Sequence, residues 1–262
     1  MMRYLIILFV LFLPIQSQAL TAQEIVKKSQ KAFLYQGKDF KARVLMKLIT
    51  KSGRERIREM TMLRKNYGTS GGEQKYFIYF FKPADVRDMT FMVYKYPGRD
   101  DDRWLFIPAI NMVKRIAARD KTSSFVGSDF TYEDISGRDL EDDIHTLIKE
   151  EKLGGRECHV IKSRPKAGDV NYSYKLSWID KENFLPLKEK FYDLKGDLMK
   201  VFTADRFGEI KGYPTVVERT MKNIRSGHRT EVTFLKTDYN TGIPDRLFSE
   251  RFLKRPPKKW IK

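Results

Sequence analysis

The chain has a single cysteine, Cys158, among 262 residues. One thiol cannot close an internal disulfide, so the core alone must hold the fold, even in an oxidising compartment. The paired-cysteine spacing of a structural zinc site is missing, as are the HExxH, GxSxG and P-loop patterns. These absences remove the commonest metalloprotease, hydrolase and nucleotide-binding grammars and point to a protein that is not an enzyme and holds no cofactor. Acid is scarce: 34 Asp and Glu stand against 51 Lys and Arg, a formal net charge of +17. Such a surplus suits transient contact with anionic membranes. It would also suit nucleic acid, but no nucleic-acid motif accompanies it, and no nucleic-acid partner is expected. Long apolar runs are lacking too. The run from Tyr4 to Leu13 is too short to span a bilayer comfortably.

That run sits in a targeting pattern. Arg3 supplies the positive flank and Ser17-Gln18-Ala19 the small-residue cleavage site. Residues 1–19 are therefore read as a cleaved signal peptide and 20–262 as a single domain, with about +16 of charge left after loss of Arg3. No cysteine lies near the site, which argues against a lipid-anchored N-terminus.

Thr21-Ala-Gln-Glu24 is a capping-box pattern, and Ile25, Ala32 and Phe33 give the following segment one apolar face. A helix over about Ala22 to Leu34 is expected, with Lys27, Lys28 and Lys31 on its exposed side as candidates for docking to membranes or partners. Alternation takes over next. Phe40, Ala42, Val44, Met46 and Leu48 share one side of a strand, and Met60 and Met62 share the matching side of its return after the Lys51–Gly53 turn. Short strands then recur to Tyr239, about a dozen in all, separated by turns such as Leu153-Gly154-Gly155 and Lys195-Gly196-Asp197. The pattern describes a mostly β protein with some helix: a strongly bent antiparallel sheet covered by one or a few helices. Pro256-Pro257 cannot continue a strand, so the C-terminal tail is expected to be loosely held.

The chain is organised around residues 100–137, DDDRWLFIPAINMVKRIAARDKTSSFVGSDFTYEDISG. Asp129, Glu133 and Asp134 invite an acid–base reading, but Gly127 and the aromatics Phe125, Phe130 and Tyr132 describe a loop and short turn capped by Ser128 or Asp129. Lys114 and Arg115 follow an apolar strand directly. One of them is expected to point inward against Asp129 or Glu133. Cys158-His159 suggests a nucleophile and base, yet no third group is evident, and the plainer reading of Cys158 is a small filler in a strand.

The order W-L-F-I-P-A…V-K-R-I, followed by S-F-V-G-S-D-F-T-Y-E-D, resembles the signature of the outer-membrane lipoprotein-sorting-like proteins, a branch of the LolA/LolB superfamily of periplasmic lipid and lipoprotein carriers. The likeness extends to Pro244-Asp245-Arg246-Leu247-Phe248-Ser249. It implies a half-barrel that holds a lipid or lipoprotein acyl chain and transfers it towards the outer membrane. It also implies residence in the periplasm of a Gram-negative bacterium and work alongside an RND-type membrane transporter. The alternative it allows is a periplasmic lipid- or peptide-sensing regulator of the same fold. In such a half-barrel the wall expected to touch cargo is Val44, Met46, Leu48, Met60, Met62, Phe91, Trp104, Phe106 and Phe130, with residues 104–134 at the mouth or across the concave face. Methionine is flexible and polarisable, so a wall rich in it adapts to varied acyl chains. If the signal reading is right, the exported protein begins at Leu20 without added lipid mass. Intact-mass spectrometry of the periplasmic fraction checks this, and a retained leader would count against it.

Overall fold

The computed structural model describes residues 19–68 and 72–262. Residues 1–18 of the expected leader lie outside that range. Helix α1 (Ala22–Leu34) forms where the capping box placed it: the Thr21 hydroxyl accepts from the Glu24 amide, and the Glu24 carboxylate accepts from Thr21. Two antiparallel meanders follow. The first runs through β1 (Asp39–Ile49), β2 (Glu55–Tyr67), β3 (Glu73–Lys82), β4 (Thr90–Lys95), β5 (Asp102–Ile107) and β6 (Met112–Ile116). The second runs through β7 (Asp143–Leu153), β8 (Arg156–Pro165), β9 (Tyr174–Asp180), β10 (Pro186–Tyr192), β11 (Leu198–Ile210), β12 (Tyr213–Asn223) and β13 (Arg229–Tyr239). Pairing of β1 with β13, from Phe40 opposite Tyr239 to Ile49 opposite Arg229, fuses them into one antiparallel sheet of 13 strands. The ends, β6 and β7, are not paired, so the sheet is open.

The sheet must bend because one short helix touches both halves. At its C-terminal end, the Leu34 carbonyl accepts from Gln74 on β3, while the body of α1 packs on β7, β8, β9 and β12. Laid flat, β3 to β7 would span about 43 Å at 4.8 Å per strand. The 13 residues of α1 reach about 20 Å. Curling the sheet around the helix reconciles the two lengths.

The first meander is apolar on both faces, as the sequence EQKYFIYFFK of β3 requires. Its concave face carries Phe40, Val44, Met60, Met62, Ile78, Phe80, Phe91 and Leu105, covered by residues 117–137. In that segment Thr131 and Asp134 form a second capping box at the start of α2 (Tyr132–Ser136). Thr131, rather than Ser128 or Asp129, is therefore the cap. Phe125 is fully buried, with ring centroids 5.2 Å from Phe91 and 6.1 Å from Phe80. The convex face, with Leu63, Phe77 and Met92, is covered by α3 (Glu250–Lys254) and α4 (Lys258–Ile261).

The tail is therefore not loosely held. Leu253 and Ile261 are buried, and the Thr90 and Thr61 hydroxyls donate to their carbonyls at 2.8 and 2.7 Å. Pro256-Pro257 only separates two helical turns. The covering is needed because a strand that is apolar on both sides must be dry on both sides. Asp39 directs the tail there: its carboxylate accepts from the amides of Thr241, Gly242 and Ile243 at 2.6, 2.9 and 3.1 Å.

Phe125 is the keystone of the concave filling. Replacing it with alanine should cost about 3–5 kcal/mol. The half-exposed Ile57 should tolerate the same change within about 0.5 kcal/mol. Urea unfolding of both variants tests this, and equal midpoints would show that the segment adds little to the core.

Candidate functional site: the cavity beneath helix α1

The expected cargo wall divides in two. Val44, Met46, Leu48, Met60, Met62, Phe91 and Phe130 are buried in one cluster on the concave side. Met46 and Met60 lie on neighbouring strands as expected, with Met60 opposite Val44 and Met46 opposite Arg58. But Phe125, Phe130, Tyr132 and Ile135 pack down on this wall, so it is solid core rather than open cavity. Trp104 and Phe106 point to the other side. On β5 the inward residue opposite Phe91 is Leu105, and a period of two turns both of its neighbours to the convex layer beneath α3 and α4. Residues 117–137 do lie across the concave face, whereas Trp104–Ile107 belongs to β5, next to the edge strand β6.

Open space occurs on the second meander. A cavity of about 340 Å³ lies between α1, residues 122–145 and strands β8 to β11. Val26, Ser29, Phe33 and Leu34 line it from the helix; Ile179, Pro186, Phe191 and Met199 line it from the sheet. It is bordered by charge. Lys175 donates to Glu189 at 2.9 Å, and Glu189 also accepts from Ser177 at 2.7 Å. Burial opposes the charge on Lys175, but Glu189 prevails and holds its pKa above the usual lysine value. Lys200 lies 3.5 Å from Asp134. Asp129 accepts from Thr230 at 2.7 Å and pairs with His228 at 2.6 Å. His145 is bound at both ring nitrogens, to Ser163 at 2.8 Å and the Leu140 carbonyl at 3.0 Å, and burial lowers its pKa. The inward face of β9 is thus Lys175, Ser177 and Ile179, while Trp178 is buried in another cluster with Cys158 and Val160.

Arg138 ties the rim together. Its guanidinium reaches Glu133 at 3.1 Å, Asp143 at 2.8 Å and Asp169 at 2.9 Å, and Lys121 adds contacts to Glu133 at 3.2 Å and Asp169 at 2.5 Å. Burial raises the Glu133 carboxyl above the usual range despite Arg138 and Lys121. Neither Lys114 nor Arg115 turns inward: both are exposed, and Arg115 pairs with Asp102. The expected inner partners are already engaged, Glu133 by Arg138 and Asp129 by Thr230.

The nucleophile reading finds no dyad. Cys158 is buried, burial pushes its thiol up to about 11, and His159 faces Glu150 at 3.1 Å. Lys27, Lys28 and Lys31 are exposed on α1, with Lys28 over the Phe184 ring. Sequence reasoning missed Phe191, Met199, Lys175, Lys200 and Arg138, because nothing in their own strands or loops distinguishes a cavity from a surface.

With this geometry in view, relatives are informative. Residues 72–255 match a family model described only as an uncharacterized protein. A putative outer membrane lipoprotein-sorting protein domain from Vibrio parahaemolyticus is 30% identical over 89% of this chain and 98% of its own, with a TM-score of 0.82. The chain belongs to the outer-membrane lipoprotein-sorting-like family. A DUF1329 family protein from Desulfovibrio piger is 29% identical over 87% of this chain and 95% of its own, at a TM-score of 0.81. A LolA superfamily protein from Nitrosomonas europaea shares the fold at 22% identity, covering 89% of this chain and all of its own, with a TM-score of 0.70. No curated protein matches the sequence. No helix among the described residues is long and apolar enough to cross a membrane.

The rim generates a pH prediction. Burial works against ionisation of Asp169, but hydrogen bonds from Arg138 and Lys121 prevail and hold its pKa at about 2, below the reference of 3.8. A carboxyl depressed on folding contributes stability above its unfolded pKa and loses it as pH falls through the folded one. Stability should therefore decline between about pH 4 and pH 2, and Asp169→Asn should flatten that decline. Arg138→Ala leaves buried Asp143 unpaired, although Lys121 still meets Glu133 and Asp169, and should cost about 3–5 kcal/mol at neutral pH. Thermal unfolding across pH measures both effects, and an unchanged acid slope in the asparagine variant would show that the Asp169 pairs add nothing to stability.

Proposed function

We propose that the protein is a periplasmic carrier. It takes a lipid or the acyl group of a protein into the cavity beneath α1 and transfers it towards the outer membrane, with an RND-type membrane transporter as partner. The observation that supports this most is the cavity itself. It is concave, partly apolar, of about 340 Å³, and placed between a helix and a bent sheet in a chain of the lipoprotein-sorting-like family. That volume falls at the lower end of the range for small-molecule sites. The relevant wall is Val26, Phe33, Phe191 and Met199 rather than the methionine face of β1 and β2. The ionised residues there are paired with one another, and the second ring nitrogen of His145, which meets Ser163, is held by the Leu140 carbonyl rather than by a carboxylate; the arrangement favours binding over turnover. Lys27, Lys28 and Lys31 on the outer side of α1 meet anionic membranes during transfer.

Met199 is half-buried, so Met199→Asp should leave the fold intact and place a carboxylate against acyl carbon, at a cost of several kcal/mol. Binding of a fluorescent fatty-acyl probe should fall at least about tenfold. Met46→Asp, at a site 3% exposed, should instead unfold the protein. Reversing Lys27, Lys28 and Lys31 should spare probe binding and slow salt-sensitive association with anionic vesicles. Donor-to-acceptor vesicle transfer separates a carrier from a sensor: a sensor binds the probe but does not speed its transfer. A folded Met199→Asp variant that binds like the parent would place cargo elsewhere.

A further inference from the structure

Next to the main cavity, and lined like it by Phe33 and Leu34, is a smaller one of about 50 Å³. Two arginines line it, Arg64 from β2 and Arg219 from β12, and none of its lining residues is acidic. Arg64 donates to the Gln36 carbonyl at 2.7 Å. The Arg219 side chain makes no hydrogen bond and no ion pair among the described residues; it is half-buried, and its Nε is shielded from solvent without a partner. Its guanidinium carbon lies 5.5, 5.3 and 5.1 Å from the ring centroids of Phe33, Phe130 and Phe234.

The nearby carboxylates are committed elsewhere. Asp134 caps α2 and faces Lys200; Asp39 holds the Thr241–Ile243 amides. Other interior arginines differ: Arg138 meets several carboxylates, Arg103 meets Asp101, and Arg58, whose Nε and Nη1 are also buried without partners, lines neither cavity. A guanidinium partly taken from water without an anion carries a cost, and aromatic faces offset only part of it.

We propose that Arg219 is the binding site for the carboxylate head of an amphiphile whose tail lies along α1 in the larger cavity. The chemistry fits in three ways. A planar guanidinium offers a carboxylate paired N–H donors. The apolar rings shield part of the guanidinium from water, which strengthens the pair. The space of about 50 Å³ holds only a few waters, and a small planar carboxylate is the acid head that needs least room. The proposal rests on the carrier reading and narrows it, because it selects a free acid over an esterified acyl chain.

Calorimetric titration of the purified exported chain with dodecanoate and with methyl dodecanoate is the test. Dodecanoate should bind at least about tenfold more tightly, the size expected for one charge-assisted pair. Arg219→Met should abolish the difference, with Arg219→Lys keeping part of it. The Met variant should also melt about 2–4 °C higher without ligand, since it removes an unpaired, half-buried charge. A merely structural arginine would lower that midpoint.

In the unaltered protein, carbon-13 NMR of carboxyl-labelled dodecanoate should show the bound acid titrating below the free acid, because an adjacent cation favours the anion. Equal binding of acid and ester, or a bound acid titrating at or above the free value, would overturn the carboxylate site and leave the carrier intact. Tighter binding of a dodecyl phosphate would overturn the head class. Failure of every amphiphile, with Arg219→Met no more stable, would sink both readings.

Discussion

The structure depends on the pairing of β1 with β13. Phe40 and Tyr239 lie at opposite ends of the chain's sheet-forming region, yet stand opposite each other, with ring centroids 5.2 Å apart. Without that ladder the two meanders would be separate sheets, and α1, which leads into β1, would not be held over the strands of the second. Such distant pairing carries a loop-closure cost that local contacts do not. Here it is reinforced at one end by Asp39, which collects backbone amides just beyond β13. The same ladder brings Phe234 of β13 opposite Val44 of β1 and sets Arg219 of β12 two strands from the methionine wall.

The two halves use the concave space differently. The first fills it with its own chain: Phe125, Phe130, Tyr132 and Ile135 replace whatever an open half-barrel would leave to solvent or cargo. The second leaves a gap under α1, walled partly by apolar side chains and partly by ion pairs already satisfied. Paired charges next to a cavity are compatible with an apolar guest, since no partner is lost when water leaves. Arg219 is the exception to that satisfaction. A half-buried charge without a partner carries a cost, and groups held at such a cost cluster at functional sites.

Several features were legible in the sequence because their causes are local. The capping box at Thr21 and Glu24 fixed α1 at Ala22–Leu34. The period of two in β1 and β2 fixed which residues share a face, and Met46 and Met60 do share one. The family resemblance rested on residues 104–134 and extended to the open antiparallel sheet. Arg219 also left a trace: it lies two residues before buried Met221, a charge on the apolar side of a strand.

The sequence by itself determined the helix, the strands, the faces of β1 to β3 and the large positive charge, since each follows from neighbours a few residues apart. Tertiary structure alone decided which apolar face is filled and which is open. Alternation tells Leu105 from Trp104 and Phe106 but does not say which of them points to the concave side; pairing with Phe91 settles that. Composition cannot foresee that residues 117–137 plug one half, or that a tail with two prolines seals the convex face. Those outcomes depend on how far the sheet bends, and the bend is set where one short helix meets strands from both ends of the chain.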